Sequence, residues 1–169
     1  MQKVGCAGYL CLVLAICLLG ACLLTGCGDD YPEGKVLQFA DLQLTLPGDF
    51  IDLSNEGIGA DADFIYGRKT LIVTGAAEDK SKLQAMTLEE YTALVISGNK
   101  LDTTPIAYGK GYQFAYETAV GDEVYRYVTA TFEGENNFWL FQFYCPLADV
   151  EANQPEIDMI LSGITPDKK

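Results

Sequence analysis

The stretch YQFAYETAVGDEVYRYVTATFEGENNFWLFQFYC, Tyr112 to Cys145, decides the fold. It holds three runs rich in aromatic and β-branched residues: Tyr112 to Val120, Glu123 to Phe132, and Phe138 to Cys145. Such residues favour strands. Gly121-Asp122 fits a two-residue hairpin loop between the first two runs. Gly134-Glu135-Asn136-Asn137 reads as the turn before the third. Counting outward from the hairpin loop places Glu117 opposite Arg126 and Tyr116 opposite Tyr127. An opposite-charge cross-strand pair contributes roughly 0.2–1 kcal/mol, and a slip by one residue would set Glu117 against a tyrosine.

Period-2 sorting gives this meander two apolar faces. One carries Phe114, Tyr116, Tyr125, Tyr127, Phe138 and Leu140. The other carries Ala115, Ala119, Val128, Ala130, Trp139, Phe141 and Phe143. A sheet with one wet face alternates more cleanly. Two apolar faces need cover on both sides, and helices supply it. Downstream, Pro155 suits a first helical turn, and Ile157, Ile160, Leu161 and Ile164 form one stripe with Gly163 near its end. Upstream, Thr87-Leu88-Glu89-Glu90 fits a capping box. Leu88, Tyr91, Leu94 and Val95 share a face, and Gly98 suits a left-handed stop, so a helix is expected over Leu88 to Ser97.

Earlier still, Val36 to Phe39 reads as a short strand. Leu42, Leu44 and Leu46 alternate with polar residues as a half-buried strand does, and Pro47-Gly48-Asp49 ends it. Ala62 to Tyr66 and Leu71 to Ala76 read as strands around a Gly67-Arg68-Lys69 turn. The expected fold is α+β: one domain with a central antiparallel sheet and helices on both faces.

The amino terminus has a different character. Lys3 is the only charge before an apolar run from Val4 to Leu24, and Leu24-Thr25-Gly26-Cys27 precedes Gly28-Asp29-Asp30. This resembles the bacterial lipobox, in which a leader ends at an invariant Cys. The resemblance implies a diacylglyceryl group on Cys27 and cleavage between Gly26 and Cys27. Leu19-Gly20-Ala21-Cys22 also fits, but cleavage there would leave Leu23 and Leu24 exposed. An uncleaved transmembrane helix is the other alternative, since about 20 apolar residues span a bilayer. The expected partition is residues 1–26 leader, 27–34 lipidated Cys and tether, 35–165 domain, and 166–169 tail. The tether, eight residues from Cys27 to Gly34, reaches at most about 28 Å. The resulting localisation is the extracytoplasmic face of a bacterial cell membrane.

Beyond position 26 the chain carries 10 basic against 24 acidic residues. That balance disfavours nucleic acid, and it disfavours adhesion to anionic lipid by charge, so the anchor must be hydrophobic. The sequence contains no histidine. Histidine triads, histidine bases and histidine-ligated metals are therefore excluded. Of six cysteines, Cys6, Cys11, Cys17 and Cys22 fall in the leader. With Cys27 lipidated, Cys145 has no partner in the chain, and a buried inert thiol is the expectation.

The order of elements, with Leu46 to Phe50 (Leu-Pro-Gly-Asp-Phe), Thr87 to Tyr91 (Thr-Leu-Glu-Glu-Tyr) and Ile160 to Ile164 (Ile-Leu-Ser-Gly-Ile), resembles the PsbP-like α/β/α sandwich over Lys35 to Thr165. That family includes photosystem subunits, a nuclear-transport regulator and bacterial lipoproteins. The resemblance implies protein binding without a shared catalytic site, so no functional residue is carried over.

The residues themselves offer little chemistry. The paired carboxylates (Asp29-Asp30, Asp61 with Asp63, Glu89-Glu90, Asp122-Glu123, Glu133 with Glu135) read as solvated surface or helix-start electrostatics. Asp61-Ala62-Asp63 fails as a calcium loop, since Ile65, Tyr66 and Ile72 stand where a ligand, Gly and Glu are needed. A weak improvised site on Glu56, Asp61 and Asp63 is the remaining metal alternative. Gly57-Ile58-Gly59 lacks the rest of a dinucleotide fingerprint, and no Walker loop is present. Ser54, Ser81, Ser97 and Ser162 have no activating base. Tyr112, Tyr116, Tyr125 and Tyr127 are either a core rim with hydroxyls reaching water or a binding face. The expectation is a lipid-anchored, non-catalytic module that binds a protein, with no cofactor or metal. The alternative is a lipoprotein that binds a small ligand or ion.

Overall fold

The computed structural model describes residues 34–39, 41–56, 62–83 and 85–166. The leader and Cys27 lie outside them. The seven strands of the main sheet are all antiparallel. They are β3 (Ile51–Asp52), β4 (Phe64–Arg68), β5 (Leu71–Asp79), β6 (Ile106–Tyr108), β7 (Gly111–Val120), β8 (Glu123–Glu133) and β9 (Asn137–Pro146). Their spatial order is β3-β4-β5-β9-β8-β7-β6. The meander expected from Tyr112 to Cys145 is β7-β8-β9. Glu117 faces Arg126 and Tyr116 faces Tyr127, as the hairpin loop dictates. Gly121 makes that turn at φ +62°, a conformation an L side chain resists.

Each face has its own core. On one, Phe138, Leu140, Phe114 and Tyr116 pack under α1 (Leu88–Gly98) through Leu88, Tyr91, Val95 and Ile96. On the other, Trp139, Phe141, Phe143, Val128 and Ala130 meet Ile157, Ile160 and Leu161 of α2 (Val150–Ser162). Helices therefore lie on both faces, but α2 does not cover its side alone. A small antiparallel sheet, β1 (Lys35–Gln38), β2 (Leu42–Leu46) and β10 (Thr165–Pro166), lies beside it. Leu42, Leu44 and Leu46 of its central strand are fully buried in the same core.

Several local expectations are corrected. Helix α1 runs one residue further, with Gly98 inside it. The left-handed residue is Lys100, at φ +55°. Leu101 N–H reaches Ile96 O at 3.0 Å and Lys100 N–H reaches Ser97 O at 3.1 Å, which is the Schellman arrangement. Leu101 must reach the core beside Ile96, and that contact sets the stop two residues late. Pro155 is not in the first turn of α2. A 3₁₀ turn, Leu147–Asp149, feeds the helix from Val150, so Pro155 falls inside it. Its missing N–H leaves the exposed Glu151 carbonyl to water.

The β4–β5 turn is Lys69-Thr70, with Lys69 at φ +52°, while Gly67 and Arg68 belong to β4. Strand β4 begins at Phe64, two residues later than expected, and β5 continues to Asp79. The ring of Phe64 lies over Gly75 on β5, where a Cβ would come within 2.2 Å of it. Strands β3, β6 and β10 are too short for any periodicity to mark. No helix among the described residues is long and apolar enough to cross a membrane.

Candidate binding face

The four tyrosines do not form one surface. Tyr116 is buried, and its ring stacks on Tyr127 at 4.9 Å and 5°. Tyr127 stacks in turn on Tyr144 at 5.0 Å. The row crosses β7, β8 and β9 because those residues share register. Gln142 donates to the Tyr116 hydroxyl at 3.1 Å, so that hydroxyl is engaged inside the protein. Tyr112 is half-buried against the α1 core. Tyr125, half-buried, donates to Glu123 at 3.0 Å. Most of this row is core rim, and it projects little ring surface to a ligand.

The open concavity lies beside the row. A groove of about 490 Å³ runs between the Asn99–Asp102 loop and the Ala115–Thr118 segment of β7, with Arg126 at its end. Of the four tyrosines only Tyr116 lines it. Strand β6 pairs with β7 only over Gly111–Gln113; beyond it Thr103 donates to Ala115 O, and the Asn99–Asp102 loop stands off from the strand and leaves the groove. Glu117 and Arg126 bridge at 3.1 Å across the strands beneath it, both partly exposed. The residues Asn99 to Asp102 carried no sequence signal.

The side chains with catalytic potential are committed elsewhere. Asp41 is 2% exposed and accepts hydrogen bonds from Asn136 N–H (2.9 Å), Asn137 N–H (3.1 Å), Asn137 Nδ2 (3.2 Å) and Trp139 Nε1 (2.7 Å). Burial pushes its carboxyl up, and these donors together hold it below the ordinary carboxylate value. Arg68 joins Asp49, in the turn after β2, to both oxygens of Glu156 on α2 at 2.7 Å. Asp63 accepts from Ala77 N–H at 2.6 Å, and Glu133 bridges Lys80 at 2.6 Å. Glu90 closes the capping box with Thr87.

Ser54 donates to Asp52, Ser97 to Leu94 O and Ser162 to Met159 O, so none is poised as a nucleophile. Cys145 is a free, buried thiol, and burial pushes its pKa up against the smaller opposing effect of a hydrogen bond with Asn153. Among the described residues no three Asp, Glu or Cys side chains cluster to hold a metal ion. Asp61 lies outside them. The arrangement supports surface recognition.

No protein-family model matches the chain, and no curated protein matches its sequence. Solved structures do match. The solution structure of cyanobacterial PsbP (CyanoP) from Synechocystis sp. PCC 6803 aligns at TM-score 0.53 and 9% identity, over 85% of this chain and 98% of that one. A crystal structure from Bacteroides thetaiotaomicron aligns at TM-score 0.55 and 11% identity, over 83% of this chain and 50% of that one. The Saccharomyces cerevisiae Ran-binding protein Mog1p aligns at TM-score 0.50 and 9% identity, over 80% and 96%. At these identities the likeness is one of fold: the chain has the PsbP-like architecture.

Proposed function

We propose that this chain is a lipoprotein anchored at the extracytoplasmic face of a bacterial membrane, whose domain is a non-catalytic protein-interaction module. The single observation that carries the anchoring is the order of one Lys, an uncharged apolar run, Leu24-Thr25-Gly26-Cys27, and then acidic chain. On this reading residues 1–26 leave as a signal peptide, Cys27 carries the diacylglyceryl group, 28–34 tether the domain, 35–165 form it, and 166–169 are a tail. A single acyl chain holds a protein only marginally and two hold it stably.

The interaction role is supported by what the domain offers. It presents an open groove at a strand edge, Ser54, Ser97 and Ser162 donate to local acceptors, and the buried Asp41 carboxylate is filled by local donors. The Ran-binding protein Mog1p shares the fold. Mass spectrometry of the native protein tests the anchor: the chain should begin at Cys27 and carry acyl mass. An unmodified thiol at Cys27, or a chain still starting at Met1, would end this reading. Crosslinking in intact membranes followed by affinity capture tests the interaction role.

A further inference from the structure

Strand β7 has ten residues, and β6 covers three of them. We propose that the open part of this edge, Glu117 to Ala119, takes an extended peptide of a partner protein as an added strand. A basic side chain of that peptide faces Glu117, and its neighbours in sequence lie against Tyr116 and Leu101. The inference rests on the protein-interaction role and assigns it a site.

The direction of the main-chain groups follows from the register. The β7–β8 ladder is unbroken from Gly111–Phe132 to Val120–Glu123. In an antiparallel pair, successive residues alternate between bonding the partner and pointing away. The Thr103 hydroxyl donates to Ala115 O at 2.9 Å from outside the ladder. Ala115 therefore points outward, and by alternation so do Glu117 and Ala119. Among the described residues no strand meets them. Ala115 O is taken by Thr103, so the open groups are those of Glu117 and Ala119, about 7 Å apart, two steps of a strand. A peptide backbone satisfies such a row at every second residue, as in strand addition.

The edge carries one charge, Glu117, and none of the other usual guards. Exposed edges are usually blunted by Pro, Lys, a bulge or shortness. Among the described residues, the outermost strands β3, β6, β1 and β10 have two to four residues each, and Pro105 precedes β6; β5 also extends past β4, over Ala76–Asp79, where Asp63 accepts from Ala77 N–H. The Ala115–Ala119 stretch has neither Pro, Lys nor bulge. The groove wall formed by Lys100 and Leu101 leaves room beside it.

Charge selects the occupant. The chain's net charge of −13 attracts basic segments. A second copy is disfavoured. Two chains of net charge −13 repel each other, which disfavours that pairing.

The test uses the full mature protein in detergent and a synthetic eight-residue peptide of alternating valine and lysine as probe. Hydrogen exchange at the Glu117 and Ala119 amides should slow at least about tenfold on adding the probe, while Tyr116 and Thr118, already bonded to β8, stay unchanged. N-methylating the probe at alternate amides should weaken binding about tenfold, equivalent to about 1.4 kcal/mol, in one parity only. Ala119→Pro removes one outward N–H and spares the β8 ladder, so it should weaken the probe similarly. Glu117→Lys should do the same through charge. Equal losses from both methylation parities, or no protection at millimolar probe, would overturn the proposal. So would edge protection without probe in a species of dimer mass. A partner crosslinked in membranes whose capture survives Ala119→Pro overturns the edge and leaves the interaction role standing. Capture that finds no partner counts against that role itself.

Discussion

Asp41 holds a buried charge, and among the described residues no cation pairs with it. Four donors from the β8–β9 turn and Trp139 converge on it, so one carboxylate pins the start of β2 to the far end of the main sheet. Its folded pKa is depressed, so the stability it contributes is present above the unfolded value near 3.9 and is lost as pH falls through the folded one. Urea melts should show stability flat near neutrality and falling below about pH 4. Asp41→Asn should cost about 2–3 kcal/mol at pH 7 and flatten that acid limb. Thr129 is the opposite case. Its hydroxyl is fully buried and has no hydrogen-bond partner among the described residues. Thr129→Val removes an unsatisfied donor and should raise stability by about 1–2 kcal/mol in the same melts. Neither residue was legible in the sequence. Burial and the geometry of distant donors define both, and Asp41 lies 98 positions from the tryptophan it accepts from.

Helix α1 shows how unevenly local sequence encodes an element. Its start was legible because a capping box is a contact between residues three apart, and the observed bonds are those expected: Glu90 N–H to Thr87 Oγ1 at 3.2 Å and Thr87 N–H to Glu90 Oε2 at 2.8 Å. Thr87→Ala should cost about 1 kcal/mol, measured by thermal or chemical melting. Its end was misplaced because Leu101, which docks on the core, selects the stop. Lys100 therefore carries the left-handed conformation that Gly98 was expected to carry. Lys100→Gly should stabilise the protein by up to about 1 kcal/mol, since an L side chain is penalised there. A loss of stability in that variant would mean the Lys100 side chain makes contacts that outweigh the strain. Helix α2 was legible through Ile157, Ile160 and Leu161, all buried, while its start was hidden by a 3₁₀ turn that periodicity does not mark.

The two cores share one sheet, and this binds the molecule into a single cooperative unit. Strand β9 sends Phe138 and Leu140 to one core and Trp139, Phe141 and Phe143 to the other. Disrupting either core strips neighbours from the strand that builds both. Trp139, the one tryptophan of the chain, reports on the α2 side and is bonded to Asp41. Its fluorescence and far-UV circular dichroism should trace the same denaturant transition. Separate midpoints would show the two faces unfolding independently.

The sequence alone determined that β7, β8 and β9 form a meander and that β7 meets β8 in the observed register, because a two-residue loop fixes which residues of those two strands face each other. It determined that both faces of that meander need cover, because alternating positions are apolar on both sides. It also excluded histidine chemistry outright. Only the tertiary structure decided that a small sheet shares one face with α2, that the tyrosine row is mostly core rim, and that β7 keeps an open edge. Those outcomes depend on which distant segment arrives beside each strand and how long it is, and such pairings leave no trace in the spacing of neighbouring residues.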